Sequence, residues 1–274
     1  MRLPGRGPSR ALGKCVIACL AALTLAGTAL AGAGRTFIGC PVYRDTDSAP
    51  KSGCWLAIDP SSGVRYDISL GRSKPQIGHE VLVEGRLAPR MKSDAPGPHR
   101  TPCGGVVLSP VVDSVLPSLC PTFMLPAEGY PGRRFVLDLK KVLPPADVPE
   151  KLPPPPYRPR TWSIEFSFGS DFLQYQYSEV ILDRIGRYIR ASHPRRVEVV
   201  GYAVTRPRMV GGQRLAELPR LARARARMVA LALSRLGAPA AMLHVTWADN
   251  PPPLTRQAGL AQPSRRRVDI RLSY

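Results

Sequence analysis

Between Leu143 and Arg160 the 274-residue chain carries eight prolines, four of them consecutive at 153–156. Proline locks φ and has no N–H to donate, so such a run continues neither a helix nor the interior of a sheet. Repeated proline favours an extended polyproline II rod, about 3.1 Å per residue. The chain is therefore expected to fold as two domains, one over 36–142 and one over 161–274. A semi-rigid linker over 143–160 would separate them.

The amino terminus carries a different signal. Arg2, Arg6, Arg10 and Lys14 precede an apolar run from Cys15 to Leu30, and Ala29-Leu30-Ala31 supplies a small-x-small cleavage pattern. Residues 1–31 are read as a signal peptide for export, with an uncleaved anchor as the alternative. The run is short for a spanning helix of about 20 residues. Export leads to an oxidising compartment, where disulfides persist. Outside the signal stand Cys40, Cys54, Cys103 and Cys120, which allow three pairings. Cys40–Cys54 and Cys103–Cys120 each close a short local loop and are the expected pair. No C-x-x-C spacing occurs, and His79 and His99 lie outside any ligand pattern, so neither metal nor cofactor is expected.

The first domain reads as all-β. Cys54–Ile58 leads into the turn-rich Asp59-Pro60-Ser61-Ser62-Gly63, and Val64–Ile68 alternates after it, which together make a hairpin. Further strands are expected over Glu80–Gly85, Gly105–Leu108 and Val111–Leu116. Short punctuated strands suit a small sandwich or barrel, and these suit an OB-like barrel. Trp55 is read as core.

The second domain alternates. A strand over Ser163–Phe168 is followed by a helix over Ser170–Ala191, a strand over Arg196–Val200, a helix over Pro219–Leu236, and strands over Met242–Trp247 and Val268–Leu272. Pro219 suits a first helical turn and Gly237 a C-terminal cap. The order βαβαββ predicts an α+β fold, with two helices on one face of a mixed four-stranded sheet. Particular residues repeat a known pattern in the same order. They are Phe166-Ser167-Phe168-Gly169-Ser170, Gly201-Tyr202-Ala203, Leu221 with Arg225-Ala226, Gln262-Pro263 and Arg266-Arg267-Val268. Together they resemble the OmpA-like peptidoglycan-binding domain, known from OmpA and MotB-like proteins.

That resemblance implies a ligand and a place. An Asp after the second strand and the Arg of the R-A pair would grip the diaminopimelate of a peptidoglycan stem peptide, and the protein would sit in the periplasm, at the outer membrane of a Gram-negative envelope. A zwitterion needs one anion and one bidentate cation. Arg225 supplies the cation. Val204 stands at the Asp position and cannot supply the anion, which removes a charged hydrogen bond of about 1.5–3 kcal/mol. Between them lies a basic segment, Thr205–Arg214. Its Arg206, Arg208 and Arg214 either anchor carboxylates or phosphates or belong to a solvated insertion. Glu217 either folds back in place of the missing acid or, as expected, opens the next helix, where the dipole favours it.

The net charge of +19 calls for an anionic partner or surface. Nucleic acid is not expected, because Arg220, Arg223, Arg225, Arg227 and Arg235 crowd one helix without interleaved aromatics. No G-x-S-x-G or H-E-x-x-H occurs, and His193 and His244 have no nucleophile motif beside them, so no enzyme is expected. Two functions follow: non-covalent anchoring to peptidoglycan, or a structural role in an envelope assembly, with other envelope proteins as partners, by a domain that has lost or weakened that binding.

Overall fold

The computed structural model describes residues 34–44, 53–88, 104–121, 123–125, 152–174, 177–254 and 260–274. The segment 1–31, expected to be a signal peptide, lies outside them. Seven strands build the first domain: β1 (Gly34–Gly39), β2 (Pro41–Arg44), β3 (Cys54–Ile58), β4 (Arg65–Asp67), β5 (His79–Leu87), β6 (Val106–Leu119) and β7 (Phe123–Leu125). Their order is β1-β5-β6-β4-β3-β2-β7. Only Cys40 separates β1 from β2, so these two are halves of one bent strand, and the sheet returns to its own beginning. With β4 parallel to β6 and the other barrel pairs antiparallel, this is a closed five-stranded Greek-key barrel of the OB type. Its hairpin turn is held by Asp59, which accepts from the Ser61 amide at 2.9 Å, while Gly63 takes φ +66°.

Strand alternation sorts the barrel's two faces. Val81 and Val83 of β5 point inward, to a core with Phe37, Tyr66, Ile68, Leu108 and Val111. Leu82 and Glu84 therefore point outward, yet both are buried. The other domain covers them.

That domain consists of β8 (Arg160–Glu165), α1 (Tyr177–Ser192), β9 (Arg196–Ala203), β10 (Arg208–Val210), β11 (Gln213–Leu215), α2 (Arg220–Arg235), β12 (Leu243–Asp249) and β13 (Arg267–Ser273). Its four-stranded sheet runs β12-β9-β13-β8, with β12 parallel to β9 and β13 antiparallel to both its neighbours. Ile185 and Ile189 of α1 and Val229 and Leu233 of α2 pack with Ile164, Val199 and Ile270 of the sheet. Gly201 is required under α2: a Cβ there would stand 2.0 Å from the Ala222 carbonyl oxygen. The expected α+β order is what the chain adopts.

Four expectations need correction. The disulfide of Cys40 runs to Cys120, not Cys54, with Cα atoms 5.7 Å apart. Sequence proximity misled: Gly39 pairs with Val81 and Leu119 with His79, so the bend after β1 and the end of β6 meet at the start of β5. Cys54 is also disulfide-bonded, and Cys103 lies outside the described residues. Second, the first helix begins at Tyr177 rather than Ser170, because the backbone around Gly169 and Ser170 is committed elsewhere, as described below. Third, of the two readings of Thr205–Arg214, the solvated insertion does not hold. Arg208–Leu215 form the hairpin β10–β11, turned by Gly211 and Gly212 at φ +53° and +79°, the positive pair that a two-residue hairpin turn demands.

The fourth concerns the linker. Residues 143–151 fall outside the description, but the remainder does not hold the domains apart. Tyr157 packs on Tyr188 and Tyr274, with ring centroids 5.7 and 6.2 Å away. The domains touch directly. Val210, Leu215 and Phe168 join Ile38, Leu82 and Leu116 of the barrel in one apolar cluster. Around it, Glu84 accepts from Arg266 and Arg208 at 2.5 Å each, Glu165 from Arg72 at 2.8 Å, and the Phe168 amide donates to Ser114 at 2.8 Å.

Candidate functional site

The end of β9, the start of α2 and the turn after β8 converge on one point. Arg225 projects there from the second turn of α2 and is fully buried. A buried guanidinium is costly unless each of its five N–H groups finds an acceptor. Here each does. Nε donates to the Ser170 carbonyl at 2.8 Å; Nη1 to the Tyr202 carbonyl at 2.8 Å and to Glu217 at 3.0 Å; Nη2 to the Ser167 carbonyl at 3.2 Å and to Glu217 at 2.6 Å. The Phe166 ring lies 5.2 Å from the guanidinium carbon.

Glu217 is the anion. It does not open α2, which begins at Arg220 without an acid in its first turn. Instead the segment folds back, with the Glu217 amide donating to the Val204 carbonyl at 2.9 Å. The carboxylate then accepts from the Val204 amide at 2.8 Å and the Gly169 amide at 3.0 Å. Two backbone N–H groups and a bidentate arginine thus hold one carboxylate, and the partner they hold belongs to the same chain. Val204 contributes its backbone, while its side chain is buried. Gly169 and Ser170 give their polar groups to this site, which is why the helix starts later.

The other candidate residues are scattered. Arg208 reaches Glu84 across the domain boundary. Two guanidinium groups face Glu84: burial pushes its carboxyl up, and the charges of Arg266 and Arg208 outweigh that and hold it below the usual range. Arg206 is exposed, with its amide on Asn250 Oδ1 at 2.8 Å, and Arg214 is exposed too. His193 ends α1 at φ 44°, apart from the site. Among the described residues no three His, Cys, Asp or Glu side chains gather where a metal ion could be held, and no helix is long and apolar enough to cross a membrane. Sequence reasoning missed Glu84, Ser114 and Glu80, which accepts from Gln213 Nε2 at 2.6 Å, as docking partners, because outward-facing barrel positions give no sign of what covers them.

Known proteins can be set beside this arrangement. No family model matches the sequence, and no curated protein matches it either. Among solved structures, the neighbours are OmpA-like domains. The OmpA-like domain of FopA1 from Francisella tularensis is 19% identical, over 41% of this chain and 71% of that one, with a TM-score of 0.33. The peptidoglycan-associated lipoprotein from Burkholderia pseudomallei is 24% identical, over 40% and 89%, at 0.32. The cell wall anchor of the T6SS from Pseudomonas aeruginosa is 22% identical, over 42% and 81%, at 0.33. Each of these matches covers about two fifths of this chain.

Proposed function

We propose that the protein is a non-enzymatic component of the bacterial cell envelope whose OmpA-like domain works as an interaction module with its clamp filled from within. The observation that carries this reading is the saturation of Arg225: all five donors are spent on the chain itself, and Glu217 occupies the place of a ligand carboxylate. A stem-peptide carboxylate could bind only by displacing Glu217, and it would have to replace four hydrogen bonds in a buried site. The barrel adds to the closure by packing against the hairpin that precedes Glu217. In this state the domain contributes surface to an assembly of envelope proteins.

A second reading keeps peptidoglycan as the partner, in the periplasm and next to the outer membrane. What favours it is the clamp itself. Arg225 and the amides of Val204 and Gly169 converge on one carboxylate, so withdrawal of Glu217 would leave a receptor suited to diaminopimelate, with Arg206 at the surface nearby. Sedimentation with purified sacculi separates the two readings, comparing wild type, Glu217→Ala and Arg225→Ala, each checked for fold by circular dichroism. The filled clamp predicts that wild type stays in the supernatant and that Glu217→Ala gains binding. Retention of wild type that Arg225→Ala abolishes would establish the anchor instead.

A further inference from the structure

The helix layer carries a surface that the clamp does not use. Along α2, Arg220, Arg223 and Arg227 stand at i, i+3 and i+7, which puts them on one side of the helix. All three are exposed, and no ion pair is found for them among the described residues. The helix has no acid along its whole length. Its direction against the sheet sets what lies beside them. β12 is an edge strand, and Val245 and Leu243 pack into the core beneath the helices, so Trp247 shares that face of the sheet. Trp247 is 48% exposed, and the Arg223 guanidinium lies over its ring at 5.1 Å.

Next to this basic stripe the same layer turns apolar. An open groove of about 550 Å³ lies between α1 and α2. At its edge Phe172 is 68% exposed, Leu231 49% and Met228 39%. The acids at the rim belong to α1, where Asp183 is paired with Arg187 at 2.9 Å and Glu179 is exposed. Exposed aromatic and aliphatic side chains flanked by unpaired arginines match one chemistry in particular, an anionic amphiphile. Trp sits well at a bilayer interface, guanidinium groups bind phosphate oxygens bidentately, and each basic residue near an anionic bilayer adds about 1 kcal/mol of binding. A nucleic acid would ask for a row of stacking platforms, whereas the apolar half of this face offers a single aromatic ring, Phe172, among aliphatic and thioether side chains.

We infer that the α1–α2 layer is a docking face for a membrane surface rich in anionic phospholipid, with Arg220, Arg223 and Arg227 at the headgroup phosphates. Trp247, Phe172 and Leu231 dip toward the acyl boundary. This face is separate from the Arg225 clamp and does not depend on which reading of the clamp holds.

The test uses residues 32–274, which omit the apolar run Cys15–Leu30 so that it cannot insert on its own. The protein is sedimented with vesicles of equal parts phosphatidylglycerol and phosphatidylcholine, and with phosphatidylcholine alone. Wild type is expected to bind the anionic vesicles only, and less at high salt. R220Q/R223Q/R227Q should lower the partition coefficient about 100-fold, near fivefold per arginine. F172S/L231S should lower it about tenfold through lost apolar burial, and Arg195→Gln, remote from the face, should leave it unchanged. Binding should shift tryptophan emission to the blue in wild type and not in Trp247→Phe. Equal binding by wild type and the triple arginine variant overturns the proposal. So does equal binding to neutral vesicles, absence of binding at low salt, or arginine-dependent binding of an oligonucleotide without binding of vesicles.

Discussion

At residue scale the decisive event is the return of Glu217 to the position facing Arg225. Glu217 and Val204 stand thirteen residues apart, and no periodicity connects them. An acid two positions before a proline, ahead of a helix, is read by default as a helix-opening residue. What the sequence did show was a departure: Val204 where the resemblance leads one to expect an acid. The rest depended on the backbone fold of 215–218. The pairing also changes what restoring the acid would do. An Asp at 204 would put a second carboxylate beside Glu217 in a buried site, and like charges there disfavour each other. Val204→Asp is therefore expected to destabilise the protein by on the order of 2–3 kcal/mol, the usual penalty for an uncompensated buried charge, and to leave affinity for sacculi no higher. Urea denaturation with the sacculus assay measures both.

At the scale of elements, the helices and main strands were legible because their apolar periods are long, and the two faces of the last strand alternate cleanly. The β10–β11 hairpin was not, although Gly211-Gly212 is a turn signal. Each of its strands has three residues, too few for a period, and arginines mask the two buried apolar positions. Those positions carry the docking. Val210 and Leu215 each reach the barrel's outer face, so the hairpin holds the two domains together and also positions the segment that leads to Glu217. Leu215→Ala is expected to cost about 2–4 kcal/mol, the range for truncating a buried leucine. It should also expose the 205–214 segment to limited proteolysis, which mass spectrometry of the cleavage sites would reveal; a cut elsewhere first would argue against this role.

At the scale of the whole molecule, two buried carboxyl groups pull the pH dependence in opposite directions. Asp113, opposite Val83 in the ladder, shares its inward face. It lies against Gly71, where a Cβ would come 2.0 Å from its Oδ1. Neither carboxyl oxygen has a hydrogen-bond partner among the described residues. Burial pushes this carboxyl up to about 7. A carboxyl raised on folding binds its proton more tightly in the native state, so its contribution is present near pH 4 and is lost as pH rises toward 7. Glu84 has the reverse sign: held low by Arg266 and Arg208, it stabilises above about pH 4.5 and ceases to as pH falls below that. Asp113→Asn should therefore raise the melting temperature at pH 8, by on the order of 2–4 kcal/mol in stability, and change it little at pH 4.5. Calorimetry at the two pH values checks this, and an equal shift at both would show that the Asp113 charge is not the cause.

The cluster of Ile38, Leu82, Leu116, Phe168, Val210 and Leu215 bears on how this protein can be handled at all. The proline run invites a cut between the halves. Separated there, each half would turn to water an oily face that the other now keeps dry, and Glu84 would lose both of its cations. The halves act as each other's solubilising partner, and a fragment of either is a poor stand-in for the intact chain.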